Sequence, residues 1–188
     1  MKEKIKKLSS EEFKILVGFL RYTYQQICFN KIGHEKISGQ PWKNFKYIWT
    51  SILVSLRHYY LINLAKIFDK ESYIVKGEEK VNLSIFRAIP EDKFNKDYWE
   101  TITNIKRIRN KMLAHLDSEA VLQGRGREED YGLDFKGRKI ESLIGKTFEL
   151  LNQAGESFGC TDELNQEREK RYVQDKFNEW YKVFNKNN

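Results

Sequence analysis

Two side chains suited to phosphate chemistry lie six residues apart near the end of a predicted helix. Arg109 is a permanent cation whose planar set of donors fits a phosphate group. His115 titrates near neutral pH and can accept or donate a proton. When RNA is cleaved by its own ribose, the 2′-OH must lose a proton and the charge on the pentavalent phosphate must be stabilised. The pair therefore indicates a site for RNA transesterification that needs no metal ion.

The spacing of these two residues also has a second interpretation. An arginine and a histidine at this separation occur by chance, as a surface arginine and a histidine favoured at a helix C-terminus. On an ideal helix, residues six apart are separated by about 9 Å along the axis and about 120° around it. Arg109 and His115 would reach one atom only if the helix ended or bent, or if two copies of the chain pooled their side chains across a two-fold axis.

Three polar residues could support the pair. Asn110 could hydrogen-bond the phosphate or hold the region of Arg109 in place. Asp117 could orient His115, as the third group of many metal-free sites does, or it could be an aspartate at the helix end. Asp69 is interpreted as a residue at the end of another helix, which could pair with an arginine of the segment around Arg109.

The segment around Arg109 is strongly basic. Residues 101–116 contain Lys106, Arg107 and Lys111 besides Arg109, and no acidic residue. The chain has a formal net charge of +7, and residues 1–117 account for all of the positive excess. Such a face favours an anionic partner such as RNA, bound by these two lysines and Arg107. A solvated helix face without a partner is the alternative.

Composition argues against several other classes of protein. Cys28 and Cys160 lie far apart, and the three histidines are spread along the chain, so no metal site and no cofactor is expected. Residues 1–13 are charged and lack the apolar core of a secretory signal. No apolar run is long enough to cross a bilayer. We therefore expect a cytoplasmic protein with no membrane partner.

Apolar spacing along the chain predicts an all-α fold of five to six helices in a single domain, residues 1–188. No convincing strand pattern is found, and residues 70–81 are expected to form a connector. The predicted helices cover 10–30, 41–69, 83–89, a stretch from 91 or 92 to the segment around Arg109 and His115, 138–158 and 162–184. The last of these helices belongs to a C-terminal helical segment, 162–188. Glycines place loops at 31–40 and, as the longest insertion, at 118–137.

Helix periodicity also identifies a candidate core. Ser9 and Glu12 have the spacing of a capping box that starts the first helix. The residues expected to be mostly buried are Phe13, Leu20, Trp49, Ile52, Leu56, Ile102, Ile105, Phe148 and Leu151.

The segment RNKMLAHLD resembles the signature of the HEPN (higher eukaryote and prokaryote nucleotide-binding) superfamily. In that signature an arginine and a polar residue, here Arg109 and Asn110, precede a histidine, here His115. The form AHLD and the upstream helix, which ends in Phe68-Asp69, are similar to the type U abortive-infection branch. The resemblance covers residues 10–160. Segment 118–137 and the last helix match no pattern of that branch.

The resemblance implies a helical bundle that dimerises through the motif-bearing helix, with the two motifs facing each other. Many members cleave RNA without metal, as toxins or in defence against phage, whereas others only bind or act as scaffolds. The leading hypothesis is thus a metal-independent endoribonuclease of the abortive-infection or toxin type. A non-catalytic RNA- or nucleotide-binding module and a dimeric scaffold are the alternatives. The expected partners are RNA, a second copy of the chain and, for a toxin, a neutralising antitoxin.

Overall fold

The computed structural model describes residues 8–37, 46–70, 72–75, 78–114, 138–160 and 163–186. This part of the chain contains five α-helices, so the predicted all-α class is confirmed. The helices are α1 (Ser10–Ile37), α2 (Lys46–Ile67), α3 (Lys96–Ala114), α4 (Arg138–Gly155) and α5 (Gln166–Lys186). Single turns of 3-10 helix cover Ile85–Arg87, Glu91–Lys93 and Glu156–Phe158. The predicted loop insertion 118–137 lies outside the described residues.

Helix α1 begins at the predicted capping box. The Ser9 amide donates to Glu12 Oε2 at 2.8 Å, and the Glu12 amide donates to Ser9 Oγ at 3.1 Å. Two amides at the helix start are thereby satisfied. The helix then buries one continuous stripe that contains Phe13, Leu16 and Leu20.

Helix α1 also runs further than the sequence predicts. It continues to Ile37, through most of the segment predicted as a loop from residue 31. Gly33 lies within this extension, where a Cβ atom would come within 2.7 Å of Leu53 Cδ2. The glycine therefore permits the close approach of α1 and α2 and does not mark a turn.

Helix α2 buries a different face from the one predicted. Trp49 and Leu56 are only partly buried, and Ile52 is 45% exposed, so the prediction that Ile52 is buried was wrong. The buried face includes Leu53, Tyr60, Leu61, Leu64 and Ile67. It is displaced by one residue, or about 100°, from the predicted seam. The other expected core residues, Phe13, Leu20, Ile102, Ile105, Phe148 and Leu151, are buried.

The expected connector after α2 contains a short antiparallel hairpin, which corrects the prediction that no strand occurs there. Its strands are β1 (Ser72–Val75) and β2 (Glu78–Val81), with Ser72 paired to Val81 and Val75 to Glu78. Strand β1 is rich in β-branched and aromatic residues, which suit extended backbone. The chain then returns to the end of α2.

The helices pack so that α1 contacts α2 and α5, while α3 contacts α2 and α4. Helix α3 begins at Lys96, later than predicted, and Asn95 caps it by accepting a hydrogen bond from the Tyr98 amide at 3.0 Å. Helix α5 likewise begins four residues after the predicted Asp162, at Gln166. None of the helices in the described ranges is long and apolar enough to span a membrane.

Candidate active site

Arg109 lies in the second half of α3, and its side chain is 18% exposed. Three residues of the same helix, Ile102, Ile105 and Ile108, are buried in the core and fix the rotation of α3. Because Arg109 is adjacent to this apolar stripe, its side chain lies at the edge of the core, beside the end of α2.

The guanidinium of Arg109 is held by a carboxylate forty residues away in sequence. Its Nη1 donates to Asp69 Oδ2 at 2.7 Å, and the Lys70 amide donates to Asp69 Oδ1 at 3.0 Å. Partial burial alone would raise the pKa of the Asp69 carboxyl. The hydrogen bonds from Arg109 and Lys70, and the charges of Arg109 and Lys106, outweigh burial and hold this pKa below its ordinary value. Asp69 is therefore ionised at neutral pH and faces a permanent cation.

Asn110 is the second residue that holds Arg109. Its Oδ1 accepts a hydrogen bond from Arg109 Nε at 3.1 Å. The bonds to Asp69 and Asn110 use Nη1 and Nε and do not involve Nη2. This arrangement fits the predicted possibility that Asn110 keeps the arginine in place.

The chain after the hairpin fixes the position of Asp69. The Ser84 hydroxyl is buried and donates to the Asp69 carbonyl oxygen at 2.7 Å. Asn82 Nδ2 donates to the Lys70 carbonyl oxygen at 2.8 Å. Since Ser84 Oγ also accepts from the Phe86 amide at 3.2 Å, it joins the end of α2 to the next 3-10 turn.

A buried arginine, Arg87, connects the chain after the hairpin to α1 through hydrogen bonds. The side chain of Arg87 is 2% exposed, and Nη1 and Nη2 donate to Glu12 Oε1 and Oε2 at 3.0 and 3.1 Å. Nη1 also donates to the Asn82 carbonyl oxygen at 3.0 Å. Glu12, which caps α1, thus also anchors the wall of the site.

Arg109 and Asp69 line an open cleft with a volume of ≈ 520 Å³. The other described residues that line it are Phe19 from α1, Lys66 and Lys70 at the end of α2, and Asn82 and Leu83 after the hairpin. Of these five, none was predicted as a site residue. They come from three parts of the chain that meet only in the fold, so spacing in the sequence carried no signal for them.

The predicted RNA-binding cations occupy different positions. Lys106 is half-buried, with Nζ at 5.9 Å from the centroid of the Phe86 ring. Burial lowers the pKa of Lys106, although the Asp69 carboxylate acts in the opposite direction. Arg107 is exposed on another side of α3. The Lys111 backbone belongs to α3, but its side chain lies outside the described part.

Two further site predictions, His115 and Asp117, lie outside the described residues. The described part of α3 extends to Ala114, the residue directly before His115 in the sequence. His34 and His58 are described, and partial burial together with the Arg57 cation lowers the pKa of each. Neither of these two histidines lines the cleft. In the ranges that the structure covers, no group of three His, Cys, Asp or Glu side chains could hold a metal ion.

Comparison with known proteins gives one family. The model of the family HEPN_AbiU2, described as AbiU2, matches residues 43–173. The match begins just before α2, includes Asp69, Arg109 and His115, and ends within α5. No curated protein and no solved structure gives a significant match.

Proposed function

Because the chain belongs to the AbiU2 family of HEPN proteins, we propose that it is a metal-independent endoribonuclease of the abortive-infection or toxin type. The observation that carries the proposal is the setting of Arg109. Its side chain is held by Asp69 and Asn110 at the wall of a cleft that Lys66 and Lys70 also line, and His115 directly follows Ala114, the last described residue of α3, in the sequence.

The restrained guanidinium is suited to stabilising a transition state. An arginine whose rotamer is already fixed loses little conformational freedom when it meets a phosphate, and its charge is in place before the reaction begins. Nη2 is not used by either bond to Asp69 or Asn110 and is the donor that we assign to the phosphate oxygen. Lys106, Arg107 and Lys111 would contact phosphates along the bound strand.

The proposed reaction is attack of a ribose 2′-oxygen on the adjacent phosphorus. The 2′-oxygen–phosphorus bond forms, the bond from phosphorus to the 5′-oxygen breaks, and the products carry a 2′,3′-cyclic phosphate and a 5′-OH. His115 takes the proton from the 2′-OH or delivers one to the leaving 5′-oxygen. Asp117 would orient His115, and Arg109 would neutralise the pentavalent phosphate. No step requires a metal ion or a cofactor.

We also assign the site to a homodimer, with Arg109 of one copy and His115 of the other acting on one phosphate. If α3 continued through His115, the two residues would be separated by about 9 Å along its axis and about 120° around it, and a second copy would have to supply the partner side chain. Helix α3 would lie in the interface. A toxin of this kind would also need a neutralising partner protein in its host.

The test is cleavage of structured RNA in the presence of EDTA. Wild-type protein should cleave RNA and leave DNA intact, since DNA lacks the nucleophile. His115→Ala should lose about 10²- to 10⁴-fold in rate. Arg109→Lys should also fail, because a point charge does not replace the planar donors.

Two matched variants control for folding and for general effects of the substitutions. His58→Ala removes a histidine that does not line the cleft, and Arg138→Lys alters an exposed arginine at the start of α4. Both should cleave as wild type does. RNA that is bound but never cut would favour the non-catalytic binding module. A protein that forms dimers but neither binds nor cuts RNA would favour the scaffold.

A further inference from the structure

The cleft beside Arg109 has the dimensions of a small-ligand site. Its volume of ≈ 520 Å³ lies inside the range of roughly 300–1,000 Å³ that such sites span. It extends from Arg109 over the end of α2 to the segment after the hairpin. The space is thus larger than a single phosphate group requires.

The described lining of the cleft carries a surplus of positive charge. Among the described residues, Lys66, Lys70 and Arg109 line it together with one carboxylate, Asp69. That carboxylate already accepts hydrogen bonds from Arg109 and from the Lys70 amide. Both lysines are exposed, and neither has an ion-pair partner among the described residues. Their ammonium groups are therefore available to an anionic ligand.

The same cleft also has an apolar part, which is formed by two of the described residues. Phe19 and Leu83 are half-buried, packed against the core on one side and exposed to the cleft on the other. Nucleobases that leave a helical stack are commonly bound on aromatic rings and apolar side chains. Asn82 lies beside them, and because its Nδ2 donates to the Lys70 carbonyl oxygen, its Oδ1 remains an acceptor. An amide oxygen in that position can meet an amino group on a base edge.

We propose that this cleft is a nucleotide subsite for the residue of RNA next to the phosphate held by Arg109. The base lies against Phe19 and Leu83, and Lys66 and Lys70 bind the flanking phosphate. The inference rests on the proposed function, because it takes the ligand to be RNA. It assigns contacts to five residues outside the motif-bearing helix.

The test measures binding to a 2′-fluoro RNA oligomer, which lacks the nucleophile and cannot be cleaved. The double variant Lys66→Glu/Lys70→Glu should lose about tenfold or more in affinity. The slope of log K against log salt concentration should become shallower by about 0.7, since the double variant loses the contact with one phosphate of a single strand. The matched control is Lys170→Glu/Lys182→Glu, which reverses two exposed charges on α5 and should bind within about twofold of wild type.

A second measurement locates the base. The same oligomer with a photoreactive thiouridine, crosslinked to wild-type protein, should yield peptides that contain Phe19 or residues 82–83. The subsite would be overturned by crosslinks found only elsewhere, or by a Lys66→Glu/Lys70→Glu variant that binds RNA as tightly as the α5 control does. If wild-type protein still cleaved RNA, the proposed function would stand. A wild-type protein that neither binds nor cleaves RNA would overturn both. A free mononucleotide that bound through Lys66 and Lys70 while the oligomer did not would overturn the assignment to RNA.

Discussion

Asp69 Oδ2 accepts a hydrogen bond from Arg109 Nη1 at 2.7 Å, and this contact joins the end of α2 to α3. Both groups are partly shielded, with 32% of the Asp69 side chain and 18% of the Arg109 side chain exposed. The Asp69 carboxylate thus restricts the conformational freedom of the Arg109 side chain at the wall of the cleft. Its role in the proposed site is to position Arg109, not to touch the phosphate.

Asp69→Asn should lower kcat for RNA cleavage by about 10- to 100-fold, since the arginine loses the contact that fixes its direction. RNA affinity should hold or rise, because a negative charge leaves a basic cleft. Single-turnover kinetics and equilibrium binding separate the two effects. Glu100→Gln is the matched control, because it breaks the exposed 3.7 Å pair between Glu100 and Lys139, away from the cleft. A rise in kcat in Asp69→Asn would show that Asp69 merely competes with the phosphate.

The same pair predicts a dependence of stability on pH. Because the folded protein holds the pKa of Asp69 below its ordinary value, the pair stabilises the fold fully above the unfolded pKa of about 3.9. That contribution is lost as pH falls through the folded pKa. The difference in the free energy of unfolding between wild type and Asp69→Asn should be on the order of 1 kcal/mol or less at pH 7, as for other accessible pairs. Urea titrations should show this difference in the free energy of unfolding vanish once the pH is below the folded pKa of Asp69. A difference that grew towards low pH would contradict this account.

Glu12→Gln should destabilise the protein by about 1 to 2 kcal/mol, because the bond from the buried Arg87 guanidinium to Glu12 loses the charge of its acceptor. Urea unfolding measures the loss. Glu11→Gln is the matched control, since Glu11 occupies the same first turn of α1 and is exposed. The two variants should differ clearly, and equal stabilities would show that the bond from Glu12 to Arg87 contributes little to the wall of the cleft.

Mixed dimers test whether the two motif residues act across the interface. Arg109→Lys and His115→Ala proteins, each inactive alone, should recover activity when they are unfolded together and refolded. If the site combines Arg109 of one copy with His115 of the other, random mixing should restore about a quarter of the wild-type rate. Light scattering at micromolar concentration should show a dimer in every sample. No recovery in confirmed mixed dimers would place both residues in one chain.

Local signals in the sequence predicted the start of α1 but not the face that α2 buries. The bonds between Ser9 and Glu12 depend only on neighbours three residues apart, so their spacing was sufficient. Along α2, apolar residues occur on most sides of the helix, and the spacing fits more than one face. Packing against Gly33 selects the face with Leu53 and leaves Ile52 exposed. That choice depends on α1 and is not contained in the periodicity of α2.

The sequence indicated the two residues that hold Arg109, which are Asp69 and Asn110, but not the other residues of the cleft. Arg109 and Asn110 were predicted as site residues from their types and order, and Asn110 Oδ1 accepts a hydrogen bond from Arg109 Nε in the structure. The possible pairing of Asp69 with a motif arginine is confirmed for Arg109, yet only the fold could select that arginine, since the contact spans forty residues. Lys66 and Lys70 carried no signal, because exposed lysines near a helix end are common. Lys66 and Lys70 line a cleft that forms only when the chain after the hairpin packs beside the end of α2.

The most direct test of the account is the chemistry of the ends that wild-type protein leaves on RNA cleaved in EDTA. Mass spectrometry should detect a 2′,3′-cyclic phosphate on one fragment and a 5′-OH on the other, and both products should form about 10²- to 10⁴-fold more slowly with His115→Ala. Cleavage that requires magnesium, fragments with 5′-phosphate ends, or full activity in His115→Ala would contradict the assignment of Arg109 and His115 to a metal-independent ribonuclease site.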